Sequence, residues 1–284
     1  GEIINRFTEY VKIDTQSDPQ ASCFPSTEKQ KILAQKLVRE LLELGVSDAH
    51  LDTHGYIYAT LPSNRNHETP TICFCAHMDT SPDCSGTNVK PILHTQWDGS
   101  PLILPDDPTQ QIRIEEHPDL VAQIGNDIFT ASGTTLLGAD NKAGVAAIIA
   151  AVAYWQAHPA TPHGTIKILF TPDEEVGRGT ENIDLQKLAA DYAYTIDGES
   201  LGSIENETFS ADGATIHIQG ISTHPGFAKN KLVNAIKIAA DIIALLPTDT
   251  HSPETTEQKE GFIHPVSITG GQEEANIEFI LRDF

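Results

Sequence analysis

The sequence predicts an α/β protein in two parts. Residues 1–209 form a larger domain on a doubly wound, mostly parallel sheet, and residues 210–284 form a smaller α+β domain. Three observations predict this. Strand-length apolar runs alternate with segments of helical periodicity through the first part. Clusters of His, Asp and Glu follow those runs or sit where helices begin, where open sheets gather ligands. After about Ser210 the texture changes to a β-α-β-β order.

Taken in order, Thr27-x-x-Gln30 has the form of a capping box. Ile32, Leu33, Leu37, Leu41 and Leu44 then fall at helical spacing, and Gly45 can close the helix. Residues 56–61 read as a strand. Residues 71–76 read as another, continuously apolar and therefore central and buried on both faces. Residues 81–127 are rich in Pro, Gly and Asp and weakly periodic, which predicts a long excursion with a single hairpin. Leu136-Leu137-Gly138-Ala139 leads into a helix over 142–158. A buried strand (165–170), a short helix (185–191) and a further strand (192–196) complete the first part.

In the second part, residues 215–219 alternate like a half-exposed strand. Residues 232–246 form an amphipathic helix ended by Pro247, and 248–260 are loop-like. Strands 266–269 and 276–281 meet across Gly270-Gly271. This is most of a split βαβ, ferredoxin-like unit, which normally adds one more helix and strand.

Composition narrows the function. Forty Asp and Glu against 18 Lys and Arg give a net charge of −22. So acidic a surface repels phosphate backbones and anionic lipid, so no nucleic-acid or membrane partner is expected. The longest apolar run, Ala143 to Trp155, is shorter than the ~20 residues a membrane span needs. The N-terminal Gly1-Glu2-Ile3-Ile4-Asn5 has no secretory pattern, and four cysteines are too few for a disulfide scaffold. A cytoplasmic location is expected.

Four clusters carry the chemistry: His77-Met78-Asp79, Asp140-Asn141-Lys142, Asp173-Glu174-Glu175 and Asp197-Gly198-Glu199. Each alone has a plainer reading: a surface pair, a helix cap at Asp140, a solvated turn, an Asp-Gly turn. Four at successive strand ends favour a metal site, since imidazole and carboxylate together suit Zn²⁺. His77-x-Asp79 lets a carboxylate fix the ring nitrogen turned away from the metal. Of the adjacent Glu174 and Glu175, one can bind metal while the other moves a proton. Asp140 could bridge two ions. Cys73-x-Cys75-x-His77 is a poor thiolate site, because Cys73 and His77 on one strand would stand ~13 Å apart. Buried cysteines acting as small hydrophobes are the better reading. No Gly-x-Ser-x-Gly elbow supports a serine hydrolase.

These residues resemble the M20 family of cocatalytic zinc peptidases, most closely its tripeptide aminopeptidases. The matching stretches are residues 76–80 (Ala-His-Met-Asp-Thr), 134–144, 170–179 and 195–198, with a fifth at Gly220-Ile221-Ser222-Thr223-His224-Pro225-Gly226. The likeness runs over nearly the whole chain in the family's order.

The resemblance implies two zinc ions per complete chain and no organic cofactor. His77 and Asp197 would bind one zinc, Asp140 would bridge, and Glu175 would bind the second. Glu174 would be the general base and Asp79 would orient His77. The Asp140–Asn141 peptide would be cis. The smaller domain would be an inserted lid, with His224 at the oxyanion and Arg282 at the substrate carboxylate. The family's further His ligand, near the end of the chain, has no match here; His251 and His264 lie inside the lid region. The pattern implied is a C-terminally truncated chain. The implied activity is release of the N-terminal residue from tripeptides by metal-activated water, with small peptides as partners and the oligomeric state open. The alternatives are another M20 hydrolase (dipeptidase, deacylase or carboxypeptidase) and a non-catalytic fragment that only binds metal or peptide.

Overall fold

The computed structural model describes residues 1–198 and 201–284. The chain divides into two compact units, Gly1–Glu199 and Ser200–Phe284.

The first unit contains, in order, α1 (Glu2–Val11), α2 (Gln30–Glu43), β1 (His50–Leu51), β2 (Ile57–Leu61) and β3 (Ile72–His77). Then come β4 (Ile92–His94), β5 (Leu102–Ile103), β6 (Gln111–Ile112), β7 (Ile128–Thr130) and α3 (Ala139–Ala157). β8 (Ile166–Thr171), α4 (Leu185–Leu188) and β9 (Tyr192–Thr195) complete it. The main sheet runs β1-β2-β8-β3-β9. β3 pairs in parallel with both β8 and β9, whereas β1–β2 and β2–β8 are antiparallel. The sheet is therefore mixed. The parallel character is confined to the three strands that lead into His77, Asp173 and Asp197, so their C-terminal ends share one edge.

Side-chain alternation assigns the two faces. Ile57, Ala59, Ala76, Ile168 and Phe170 face a core filled by Phe7, Leu33, Leu37, Leu41, Val145 and Ile149 of α1, α2 and α3. Tyr56, Tyr58, Cys73 and Leu169 face the other way, against Leu188 of α4. Each large aliphatic side chain so buried contributes about 1.5–3 kcal/mol. Gly45, at φ +89°, ends α2: the N–H of Val46 reaches back to Leu41 O at 2.9 Å.

The structure corrects several local expectations. The capping box at Thr27 and Gln30 does not form. Thr27 Oγ1 donates to Gln16 O, and the Gln30 amide turns to Asp173. The 81–127 excursion holds the one expected hairpin, β5–β6, and also supplies β4, which pairs with β7 just beyond it. The fourth helix stops at Leu188. The strand expected after it forms as β9, an edge strand exposed along its length.

The second unit consists of β10 (Ser210–Gln219), α5 (Ala235–Ala244), β11 (Phe262–Gly270) and β12 (Glu274–Asp283), with sheet order β10-β12-β11 and antiparallel pairing throughout. Ala235 and Ala239 of α5 pack on Ile218, Ala275, Ile277 and Phe279. The strands extend beyond the expected spans because their polar outer positions still pair. Among the described residues, no helix is long and apolar enough to cross a membrane.

Candidate metal centre

Three strand ends and one helix start build the site. β3 ends at His77, which is 2% exposed. Parallel pairing sets His77 beside Thr171 of β8, and the Met78 N–H donates to Thr171 O at 2.8 Å. The Ile196 N–H donates to Cys75 O at 2.7 Å, which brings the end of β9, and so Asp197, to the same edge.

The start of α3 supplies Asp140. Asp140 and Asn141 have non-helical backbone angles, and the peptide between them is cis. The cap of the helix is Asn141, whose Oδ1 accepts the Gly144 N–H at 3.2 Å. Asp140 is thereby released from the capping role that was its plainer reading. Gly144 is required by close approach: a Cβ there would lie 2.0 Å from Ile196 O and 2.3 Å from Asn141 Oδ1.

Around His77 the carboxylates converge. Nε2 lies 2.8 Å from Asp140 Oδ1, 3.5 Å from Asp197 Oδ2 and 3.6 Å from Glu174 Oε2. His77, Asp140 and Asp197 each offer a ligand atom within 4.8 Å of the others. On the far side of the ring, Nδ1 lies 3.0 Å from Asp79 O and 3.3 Å from Asp79 Oδ1. Asp79 is fully buried, and its two oxygens accept the backbone N–H groups of Glu174 and Glu175 at 3.0 and 3.1 Å.

The electrostatics match a site built for cations. Burial pulls the His77 pKa down, but hydrogen bonds to Asp197 and Asp79 and the surrounding negative charge outweigh it and raise it to about 11. Burial, followed by the charge of Asp140, pushes Glu175 up to about 7, and burial also raises Glu174. The hydrogen bond to His77 holds Asp197 low. Imidazole nitrogen and carboxylate oxygens with a ring tautomer fixed from behind fit a divalent metal such as Zn²⁺.

The structure thus brings together His77, Asp79, Asp140, Glu174 and Asp197. Glu175 is anchored next to them through its backbone, although its carboxylate lies outside the three-residue group. Glu199 lies outside the described residues. Cys73 is buried among apolar side chains with its thiol pushed up to about 12 by burial, as a small hydrophobe would be. His224 and Arg282 belong to the second unit. The His224 Nδ1 accepts the Gly226 N–H at 3.1 Å. The Arg282 guanidinium carbon lies 4.0 Å from the centre of the Phe209 ring and 5.4 Å from that of Phe262.

Sequence reasoning placed Lys142 in a cluster but gave it no role of its own; it is 2% exposed and donates from Nζ to Ile13 O at 2.7 Å. This ties the start of α3 to the segment after α1. A lysine beside two polar residues reads as solvated, and no sequence signal marks it as buried.

The family described as the peptidase dimerisation domain matches residues 206–284. The chain is 47% identical over 284 residues to Peptidase T of Halothermothrix orenii, covering 100% of this chain and 69% of that relative. It resembles the crystal structure of the aminopeptidase PepT from Bacillus cereus with a TM-score of 0.66 and 25% identity, over 99% of this chain and 66% of that one. A tripeptidase structure from Staphylococcus aureus, 24% identical, shares the fold with a TM-score of 0.67 over 99% of this chain and 66% of that one. The chain thus spans about two thirds of the length of these relatives.

Proposed function

The chain belongs to the peptidase T family of M20 metallopeptidases, and on that premise we propose that it removes the N-terminal residue from tripeptides. The observation that carries the proposal is the convergence of Asp140, Asp197 and Glu174 on His77 Nε2, at 2.8–3.6 Å. A buried imidazole ringed by carboxylates demands a cation.

We assign two zinc ions to the complete site, which His77, Asp140, Glu175 and Asp197 would hold. When bound, such ions polarise a carbonyl and bring the ionisation of water into the neutral range. The chain's own residues do the rest. Asp79 keeps the His77 ring in one tautomer with Nε2 toward the carboxylates. Glu174, with a side chain 54% exposed, takes the proton of the attacking water and returns it to the leaving amine. Its raised pKa suits a group that must both accept and release a proton.

In the second unit we assign His224 to the developing oxyanion and Arg282 to the substrate carboxylate. The Gly220–Gly226 motif supports the first. For the second, the Arg282 Nε is buried and, among the described residues, has no hydrogen-bond partner. We also assign the protein to the cytoplasm, since four free thiols suit a reducing compartment. The test is turnover of a panel of dipeptides, tripeptides and N-acyl amino acids by zinc-loaded protein. Selective release of the N-terminal residue from tripeptides is expected. Activity confined to dipeptides or N-acyl substrates would overturn the assignment.

A further inference from the structure

Asp173 is the member of the Asp173-Glu174-Glu175 run that the proposed reaction leaves without a role. It is fully buried and carries a φ of +55°, a left-handed conformation uncommon for any residue with a Cβ. A carboxylate so buried is costly unless donors satisfy it. Here three do. The Ser26 backbone N–H donates to Oδ2 at 2.7 Å, and the Ser26 hydroxyl and the Gln30 amide donate to Oδ1 at 2.5 and 2.6 Å. Gln30 returns the contact, its Oε1 accepting the Asp173 backbone N–H at 3.2 Å. Ser26 and Gln30 are themselves 4% and 1% exposed. Among the described residues, no lysine or arginine forms an ion pair with Asp173.

The other end of the same turn is tied to the same segment. The Arg178 N–H donates to Asp173 O at 2.9 Å, and its guanidinium donates to Ala21 O and Cys23 O at 3.1 and 3.3 Å. Between these anchors stand only Glu174, Glu175, Val176 and Gly177. Asp79 holds the first two from the opposite side. The backbone that presents both glutamates is therefore clamped from two directions.

We propose that Asp173 is a positioning residue: with Ser26 and Gln30 it fixes the turn from which Glu174 and Glu175 project. The inference rests on the reading of those glutamates as base and ligand. It makes the start of α2 a support of the metal centre.

The test uses the 284-residue chain and zinc alone. Asp173→Asn keeps the shape but sets an amide donor against the Gln30 amide. Adding Gln30→Glu reverses the polarity of the pair and restores an acceptor for each donor. Zinc affinity is measured by competition with a chromophoric chelator. Amide exchange is followed across residues 172–179, and the thermal midpoint is recorded. Asp173→Asn is expected to weaken zinc binding by about 10–100-fold, as loss of a residue that orients ligands does, and to speed exchange across the turn. The double variant is expected to recover most of both. A lowered midpoint with unchanged zinc affinity and exchange would show a structural role only and overturn the proposal, as would a double variant no better than the single one. Should Asp173→Asn not fold, Gln30→Leu, which leaves both Ser26 donors in place, carries the same expectations with a smaller loss. If the wild-type chain itself binds no zinc, the reading of the centre fails. Exchange across 172–179 then still decides the positioning role, and unchanged exchange in the variants would overturn it.

Discussion

The Asp79 Oδ1 atom accepts the backbone N–H of Glu174 at 3.0 Å while lying 3.3 Å from the His77 ring. One buried carboxylate thus couples the imidazole at the end of β3 to the turn after β8. Neither β3 nor β8 alone defines the site; the parallel register between them does.

Asp79→Ala is expected to be costly. It orphans the N–H groups of Glu174 and Glu175, each worth ~1–3 kcal/mol when buried without a partner. Urea denaturation should show a loss of several kcal/mol, and zinc affinity should fall with it. Wild-type stability and affinity would show that Asp79 supports neither element.

Glu174→Ala removes the proton carrier and none of the atoms assigned to bind metal. Turnover of tripeptides should fall by ~10²-fold or more, with zinc content unchanged by elemental analysis. Retained turnover would remove Glu174 from the role of base.

Gly144→Ala tests the packing of α3 against the end of β9. The added methyl would meet the Ile196 backbone oxygen, which cannot swing away as a side chain would. Overpacking costs ~1–3 kcal/mol, and the shift would carry Asp197 away from His77. Both a lower denaturation midpoint and weaker zinc binding are expected. An unperturbed variant would show that this contact does not set the position of Asp197.

Tyr10 gives a pH prediction far from the metal. Its hydroxyl donates to Glu40 Oε2 at 2.5 Å, and burial followed by that bond raises its pKa above the ordinary 10. Burial also lifts Tyr56, to about 12. A folded pKa above the unfolded one means that stability is fully present below pH 10 and is lost as pH rises beyond it. Tyr10→Phe should lower stability by about 1.5–3 kcal/mol at neutral pH, the scale of a hydrogen bond to a charged group. It should also flatten the decline in stability above pH 10 in denaturation curves. An unchanged alkaline slope would contradict the assignment.

Much of this architecture was legible in the sequence. Leu33, Leu37 and Leu41 announced α2 by their spacing, and Gly45 its end. The apolar run at 71–76 announced a strand, and the four clusters marked three strand ends and one helix start. What the sequence hid is long-range. Gln30 looks like a local cap because its partner Asp173 lies 143 residues away. The exposure of β9 depends on its being the sheet edge, which its own residues do not encode. The helix start at Lys142 was legible, but the cap is made by Asn141 and not by Asp140. The carboxylates could be placed at one edge from strand order, but their convergence on Nε2 needed the register of β3 with β8 and β9.

The most direct test of the central claim is the zinc content of the 284-residue chain beside that of Asp140→Ala, measured by elemental analysis after equilibration in buffered zinc. Asp140 touches the His77 ring nitrogen at 2.8 Å and is 70% exposed on its side chain, so its removal should spare the fold. The account predicts zinc held tightly by the wild-type chain and lost from a correctly folded variant. Equal zinc in the two proteins, or none in the wild type, would contradict it.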